Sequence, residues 1–382
     1  MSCCTIGRGC SLMKDTRGLD SRCRHTSEAS HQRSFGPFLL PNALRVTGRR
    51  ARKLAHSISS ALRSNMNGNG RTVLVTGAAG LVGTHTCRAL AANGWRVRAL
   101  VRNRGKAEAR LSGVPVEFAV ADLRDAGAIA DAVRGATAIV HLAAIAIERP
   151  GQRYETVNTD ATVALIAAAR AAEVTRFVQM SQNGASSASP HRFLRSKGLA
   201  EDAVRDSGLA WTSLRPSVIV GAEDEFVNVL ARLVRLSPII YPLPGGGTTR
   251  FQPVAVGDVA AAVRACLERD DTIGQAYTLG GPEPLTLRTI TERVLTAMGE
   301  HRILLDVPVA ALRPLVALAQ MALPNPPVTT GLLALLASDN VTPDSALLPV
   351  FGITPTPFTP ATLAYLRDIS ARDALRSLFT NA

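Results

Sequence analysis

The chain of 382 residues is 46% hydrophobic, 19% charged and 4% aromatic, with a formal net charge of +13. An apolar fraction at the globular average excludes disorder throughout, and the length suits one large domain or a core domain with a smaller partner. The charge would point to a nucleic-acid or membrane partner if a folded surface carried it. It is concentrated instead: residues 1–65 hold 12 Lys and Arg against 3 Asp and Glu, so +9 lies there and the other 317 residues carry +4. Cysteine divides the same way, with Cys3, Cys4, Cys10 and Cys23 in the basic stretch and only Cys87 and Cys266 beyond it. Two widely spaced cysteines argue against a disulfide framework and for a reducing compartment.

Residues 1–68 read as a basic extension without a packed core. It lacks the apolar stretch of a secretory signal. Three readings stand. The Arg and Ser bias and a basic turn or two over Arg45–Arg63 suit a mitochondrial transit peptide. Met66, followed by Asn-Gly-Asn-Gly and a strand, suits an extension upstream of the true start. A tail for nucleic acid or anionic lipid is the third. The four cysteines with His25 and His31 contain no Cys-x-x-Cys pair, so no metal site is expected.

From Arg71 the pattern alternates. Strands are expected at Thr72–Thr76, Arg96–Val101, Val114–Val120, Ala136–Leu142, Arg176–Ser181 and Ala210–Arg215. Helices are expected at Leu81–Asn93, Ala126–Arg134 with Asp125 as N-cap, Thr156–Ala172 and Phe193–Ser207. That rhythm predicts an α/β fold with a doubly wound parallel sheet covered on both faces. Residues 70–222 form the dinucleotide-type domain in this reading. Past residue 222 prolines and the Gly245–Gly247 run break the rhythm, so 223–382 are expected to form a smaller lobe, part of it returning to the sheet. Leu304–Leu323 is the most apolar stretch, but Asp306, Pro308, Arg313 and Pro314 make it a buried or surface-lying helix and not a membrane span.

The strongest motif is Thr76-Gly77-Ala78-Ala79-Gly80-Leu81-Val82-Gly83, after a strand and opening a helix. Gly77 permits the tight turn, Gly80 lets backbone amides approach a diphosphate, and Gly83 lets helix pack on strand. The diphosphate would sit over Ala79, Leu81 and Val82 at the positive end of the helix. An acidic residue after the second strand would select NAD(H) by binding the ribose 2′-hydroxyl. Here the strand ends in Arg102-Asn103-Arg104, so NADP(H) is favoured over NAD(H), with Arg102 on the 2′-phosphate. Asp258 is read as a helix cap and His141 as a packed residue beneath the cofactor.

The Gly-x-x-Gly-x-x-Gly spacing resembles the extended and atypical short-chain dehydrogenase/reductase superfamily, of the NAD-dependent epimerase/dehydratase type. The resemblance implies that Asp122 and Leu123 lie at the adenine, that Leu142, Ala143 and Ala144 wall the ribose and nicotinamide, and that Asn158 opens its helix at the superfamily's Asn position. Pro216 ends the sixth strand beside the cofactor. It also implies a Tyr-x-x-x-Lys pair, with Lys197 on the nicotinamide ribose and Ser181 orienting a substrate oxygen. Phe193 stands where that Tyr belongs, one helical turn before Lys197, and a phenyl ring has no proton to give. His191 and Ser196 are at the wrong helical offset to replace it.

The second half narrows the resemblance. Pro244-Gly245-Gly246-Gly247, Gly257-Asp258-Val259, Asp339-Asn340-Val341 and Phe351-Gly352-Ile353-Thr354-Pro355 look like the branch containing the NAD(P)H-binding accessory subunit of respiratory complex I, alpha-subcomplex subunit-nine type, and its bacterial homologues. That branch implies a structural nicotinamide cofactor with little activity, and partners among complex I subunits or at a membrane surface, in complex I or quinone metabolism. The location implied is the cytoplasmic side of a bacterial inner membrane or the cytoplasm, with the mitochondrial matrix side as alternative. The competing expectation is an active reductase, epimerase or dehydratase on a nucleotide-sugar, isoprenoid or quinone substrate. Neither expectation involves nucleic acid.

Overall fold

The computed structural model describes residues 70–379. The readings made for residues 1–68, including their cysteines and histidines, lie outside these.

Short apolar runs alternate with helices through the first half. They are β1 (Thr72–Thr76), α1 (Leu81–Ala92), β2 (Arg96–Val101), α2 (Arg104–Arg110), β3 (Val116–Val120), α3 (Ala126–Val133) and β4 (Ala138–His141). A π-helical stretch, Glu155–Asp160, enters α4 (Ala161–Ala171), followed by β5 (Arg176–Met180), α5 (Arg192–Arg205) and β6 (Ala210–Pro216). β4 and β5 are buried along their whole length, as strands covered on both faces must be. Asp125 caps α3 as expected, its carboxylate accepting from the amides of Gly127 and Ala128. The α2 helix was not anticipated. It is seven residues long with Gly105 inside, too short to show periodicity, and Asn103 caps it by accepting from the Lys106 amide.

The second half adds β7 (Ile219–Val220), α6 (Val227–Leu236), β8 (Ile240–Pro244), β9 (Arg250–Phe251), β10 (Val254–Ala255) and α7 (Val256–Glu268). β11 (Gln275–Leu279), β12 (Leu285–Thr286), α8 (Leu287–Met298), β13 (Ile303–Val307), α9 (Val309–Ala322), α10 (Thr330–Leu335) and α11 (Ala371–Ser377) follow.

A seven-stranded parallel sheet in the order β11-β6-β5-β4-β1-β2-β3 organises the described residues. The chain winds outward from β1 to β3, then returns across β1 to β4 and winds the other way. The strand order therefore reverses between β1 and β4, where ligands of such sheets bind beyond the carboxyl ends of the strands. One face is packed by Cys87 and Leu90 of α1 and by Val259 and Val263 of α7. The other is packed by Ile129 of α3, Leu165 of α4 and Val204 of α5. A separate apolar cluster joins Val227 and Leu230 of α6 to Ile290 and Val294 of α8, with Phe358 and Leu366.

Asp258 does not cap its own helix. Ala255 is the N-cap, and the Asp258 carboxylate instead accepts from the Thr356 amide at 2.7 Å and the Thr356 hydroxyl at 3.0 Å. Position within the first turn is not enough to identify a cap, because the long-range partner competes for the same oxygens. The Asp339-Asn340-Val341 segment is tied in similarly. Asn183, after β5, donates to Asn340 Oδ1 at 2.9 Å, and the Ser217 hydroxyl, after β6, donates to the Asn340 carbonyl at 2.6 Å.

Candidate functional site

The glycine turn joins β1 to α1. Gly77 has φ of +67°, and a Cβ there would stand 2.8 Å from the Ala143 amide nitrogen. A Cβ on Gly83 would stand 2.1 Å from the Gly77 carbonyl oxygen. Any side chain at either position would force strand, turn and helix apart. Gly80 caps α1 without a side-chain hydrogen bond, so the first-turn amides keep their donor capacity for an anion.

The other sequence-chosen positions gather at the same sheet edge, because each follows a parallel strand. Thr76 is in register with Leu100, which sets Arg102 level with the glycine turn. Arg102 is exposed, and its guanidinium has no hydrogen bond or ion pair among the described residues. Arg104 is committed elsewhere, to Glu108 at 2.8 Å and over the Phe118 ring. Asp122 follows β3, and Arg124 holds its carboxyl down at about 2, with Nε to Oδ1 at 2.9 Å and Nη2 to Oδ2 at 2.7 Å. Leu123 beside it is buried. Pro216 ends β6, and its carbonyl accepts from the Asn183 amide at 2.9 Å and from the Gln182 side chain at 3.2 Å.

Leu142 and Ala143 follow β4, with Ala144 next. The amides of Leu142 and Ala143 both donate to Thr76 Oγ1 at 3.2 Å. Thr76 Oγ1 also lies 2.7 Å from His141 Nδ1, and His141 Nε2 lies 2.9 Å from Thr162 Oγ1. Thr162 gives its proton to the Asn158 carbonyl at 2.7 Å, so it accepts from Nε2–H, and Nδ1 accepts from the Thr76 hydroxyl. His141 is therefore a neutral link between β1 and α4. Burial first, and then the Lys197 charge, push it down to about 3. The sequence reading missed this chain of contacts, since the threonines carry no motif. Thr76 and His141 stand in register on β1 and β4, with Gln179 and Ser213 at the same level, while Thr162 lies on α4.

Phe193 and Lys197 lie one turn apart on α5. Lys197 is 6% exposed, its Nζ donates to the Met180 carbonyl at 2.6 Å, and burial pushes it down to about 8. Ser181 follows Met180; its hydroxyl is buried and has no hydrogen-bond partner among the described residues. Asn158 donates to Ser196 Oγ and to the Ile145 carbonyl, both at 3.1 Å, tying the loop after β4 to α5. That loop brings Tyr154 against Phe193, with Arg192 bound to Glu148 at 2.7 Å and Glu155 at 3.0 Å. His191 sits before the helix begins and makes no capping bond.

A cradle that admits no side chain, uncapped amides, a free guanidinium and a buried orphan hydroxyl at one sheet edge fit a nicotinamide dinucleotide. The chain belongs to the NAD(P)H-binding family, whose model matches residues 77–270. Its fold resembles that of short-chain dehydrogenase/reductase-type structures, and its sequence is similar to complex I subunits. It is 35% identical over 241 residues to the mitochondrial NADH dehydrogenase [ubiquinone] 1 alpha subcomplex subunit 9 of Arabidopsis thaliana, covering 60% of this chain and 58% of the relative. It is 35% identical over 193 residues to a ceramide reductase of Caulobacter vibrioides, covering 50% and 60%. The chain thus spans less than two thirds of either relative. Among solved structures it resembles a dTDP-glucose 4,6-dehydratase from Streptomyces venezuelae with NAD bound, at 22% identity and a TM-score of 0.61, covering 78% of this chain and 96% of that one. Among the described residues no helix is long and apolar enough to cross a membrane, and no cluster suits a metal ion.

Proposed function

We propose that the protein holds NADP(H) as a lasting, largely structural cofactor with little dehydrogenase turnover, and works beside respiratory complex I or in quinone metabolism at the inner membrane. The carrying observation is Phe193, one turn before a buried Lys197, next to an intact glycine turn. When bound, the nicotinamide supplies hydride chemistry. The chain's own residues cradle the diphosphate on the amides after Gly80, meet the 2′-phosphate with Arg102 and hold the nicotinamide ribose with Lys197. Asp122, Leu123, Leu142, Ala143, Ala144 and Pro216 line the adenine, ribose and nicotinamide positions. No side chain stands one turn before Lys197 to pass a proton to a substrate oxygen.

The relation to complex I subunits supports this reading. The similarity to a ceramide reductase, with the orphan Ser181 hydroxyl, supports a second: an active reductase on a lipid carbonyl. Mass spectrometry of nucleotide released from the purified protein, with NADPH oxidation over a panel of quinone, ketosphingolipid and nucleotide-sugar substrates, separates the two. Co-purifying NADP(H) with no turnover is expected. Turnover that Lys197→Ala abolishes would establish the reductase instead.

A further inference from the structure

The last residue of α2 grips the glycine turn and a loop from the second half of the chain at once. Arg110 Nη1 donates to the Ala79 carbonyl at 2.5 Å, and Arg110 Nη2 pairs with the Glu223 carboxylate at 2.6 Å. The Arg110 carbonyl accepts from the Arg88 guanidinium of α1 at 2.8 Å, which fixes where the side chain starts. On the far side of the same peptide unit, the Gly80 amide donates to the Gly77 carbonyl at 2.9 Å. The Ala79–Gly80 peptide is therefore held at both poles, by Arg110 and by the turn itself.

Glu223 lies in the loop between β7 and α6. The buried Asp224 sets the shape of that loop. Its carboxylate accepts from the Gly221 amide at 3.1 Å at one end, and from the Phe226 and Val227 amides at 2.7 Å and 2.6 Å at the other. The loop lies close against the start of α1. A Cβ on Gly221 would stand 3.3 Å from Leu81 Cδ1 and 2.8 Å from Val256 Cγ1, so a larger residue would lift the loop away. Leu81 is the first residue of α1, the helix end that suits a diphosphate.

An ion pair between partly exposed groups is worth little where it must order two free side chains. Here both partners are ordered beforehand, Glu223 by the loop that Asp224 shapes and Arg110 by its bond to Ala79, so less freedom is lost in pairing. The pair joins protein groups only. A contact equally strong with and without nucleotide leaves the affinity unchanged and acts on the rates of passage.

We propose that Arg110 and Glu223 form a clasp between α2 and loop 221–226 that must open for the dinucleotide to enter or leave. The clasp rests on a dinucleotide at the glycine turn and is independent of how slowly the protein turns over.

The test is stopped-flow fluorescence of the full chain with NADPH and, separately, with NADH, release being followed by displacement with excess oxidised nucleotide. Glu223→Gln keeps the shape and removes the charge. It is expected to speed both entry and release by about fivefold, the factor an ion pair of this exposure supplies, with the dissociation constant unchanged within about twofold. Arg110→Met should speed exchange at least as much. The double variant should be no faster than Arg110→Met, because one clasp is lost only once. The Glu223 side chain is half-exposed and its replacement isosteric, so an unchanged melting temperature verifies the fold. Unchanged exchange rates in Glu223→Gln overturn the clasp. So does faster release alone with a matching loss of affinity, which would make Glu223 part of nucleotide binding instead of a gate. A wild type that takes up neither nucleotide overturns the site itself, before any variant is compared. Rapid NADPH oxidation by a wild type whose exchange responds as expected overturns only the low-turnover reading and keeps the clasp.

Discussion

Tyr154 lies against Phe193, their ring centroids 5.7 Å apart and inclined by 56°. The Tyr154 hydroxyl donates to the Ala146 carbonyl at 2.8 Å, so its proton is committed to its own loop. Phe193→Tyr restores a hydroxyl one turn before Lys197. NADPH-dependent carbonyl reduction is expected to rise by about a hundredfold with nucleotide affinity unchanged, as read from NADPH absorbance and titration. An unchanged rate would show that the site lacks more than a proton donor.

The proposed contact of Arg102 with the 2′-phosphate predicts a difference between the two nucleotides. A charge-assisted pair with a 2′-phosphate stabilises by about 2 kcal/mol, so Arg102→Ala should weaken NADPH about thirtyfold and leave NADH untouched. Calorimetric titration of both nucleotides against both proteins reads this directly. Equal wild-type affinities would remove the 2′-phosphate assignment.

Burial of the Lys197 ammonium costs stability, which the proposed contact with the nicotinamide ribose would offset on binding. Its folded-state value of about 8 lies below the ordinary lysine value of 10.5. Between those values the unfolded chain keeps the proton and the folded chain does not, so stability rises with pH across that window. Below pH 8 both forms hold the proton and the full burial penalty remains. Lys197→Met should stabilise the nucleotide-free protein at pH 7, by at most on the order of 3 kcal/mol, and abolish the rise between pH 8 and 10.5, as chemical denaturation at a series of pH values reads. The same variant should bind NADPH about tenfold more weakly.

His141 gives the opposite case, a buried group that stabilises while neutral. Its folded value of about 3 lies below the ordinary 6.5, so between them only the unfolded chain takes up the proton. Stability is lost as pH falls from 6.5 towards 3. His141→Leu leaves the Thr76 and Thr162 hydroxyls short of a partner and should cost about 2 kcal/mol at pH 7. Chemical denaturation at a series of pH values should show the gap between variant and wild type narrowing below pH 6.5.

The sequence by itself determined the doubly wound sheet and the glycine turn, whereas the expectation of a Tyr where Phe193 stands came from the family resemblance. The first two are local: strand and helix periods and residues needing a positive φ or a close approach are written along the chain. The role of Asp258, the Thr76–His141–Thr162 chain and the Tyr154–Phe193 contact were decided only in tertiary structure. Each joins positions well separated in sequence, and a polar side chain takes whichever partner the packing brings, whatever its own neighbours suggest. Leu304–Leu323 shows the division within one segment. Its composition excluded a membrane span, but buried and surface-lying helices share that composition. Only the packing around α9 left Leu315, Leu318 and Met321 facing outward.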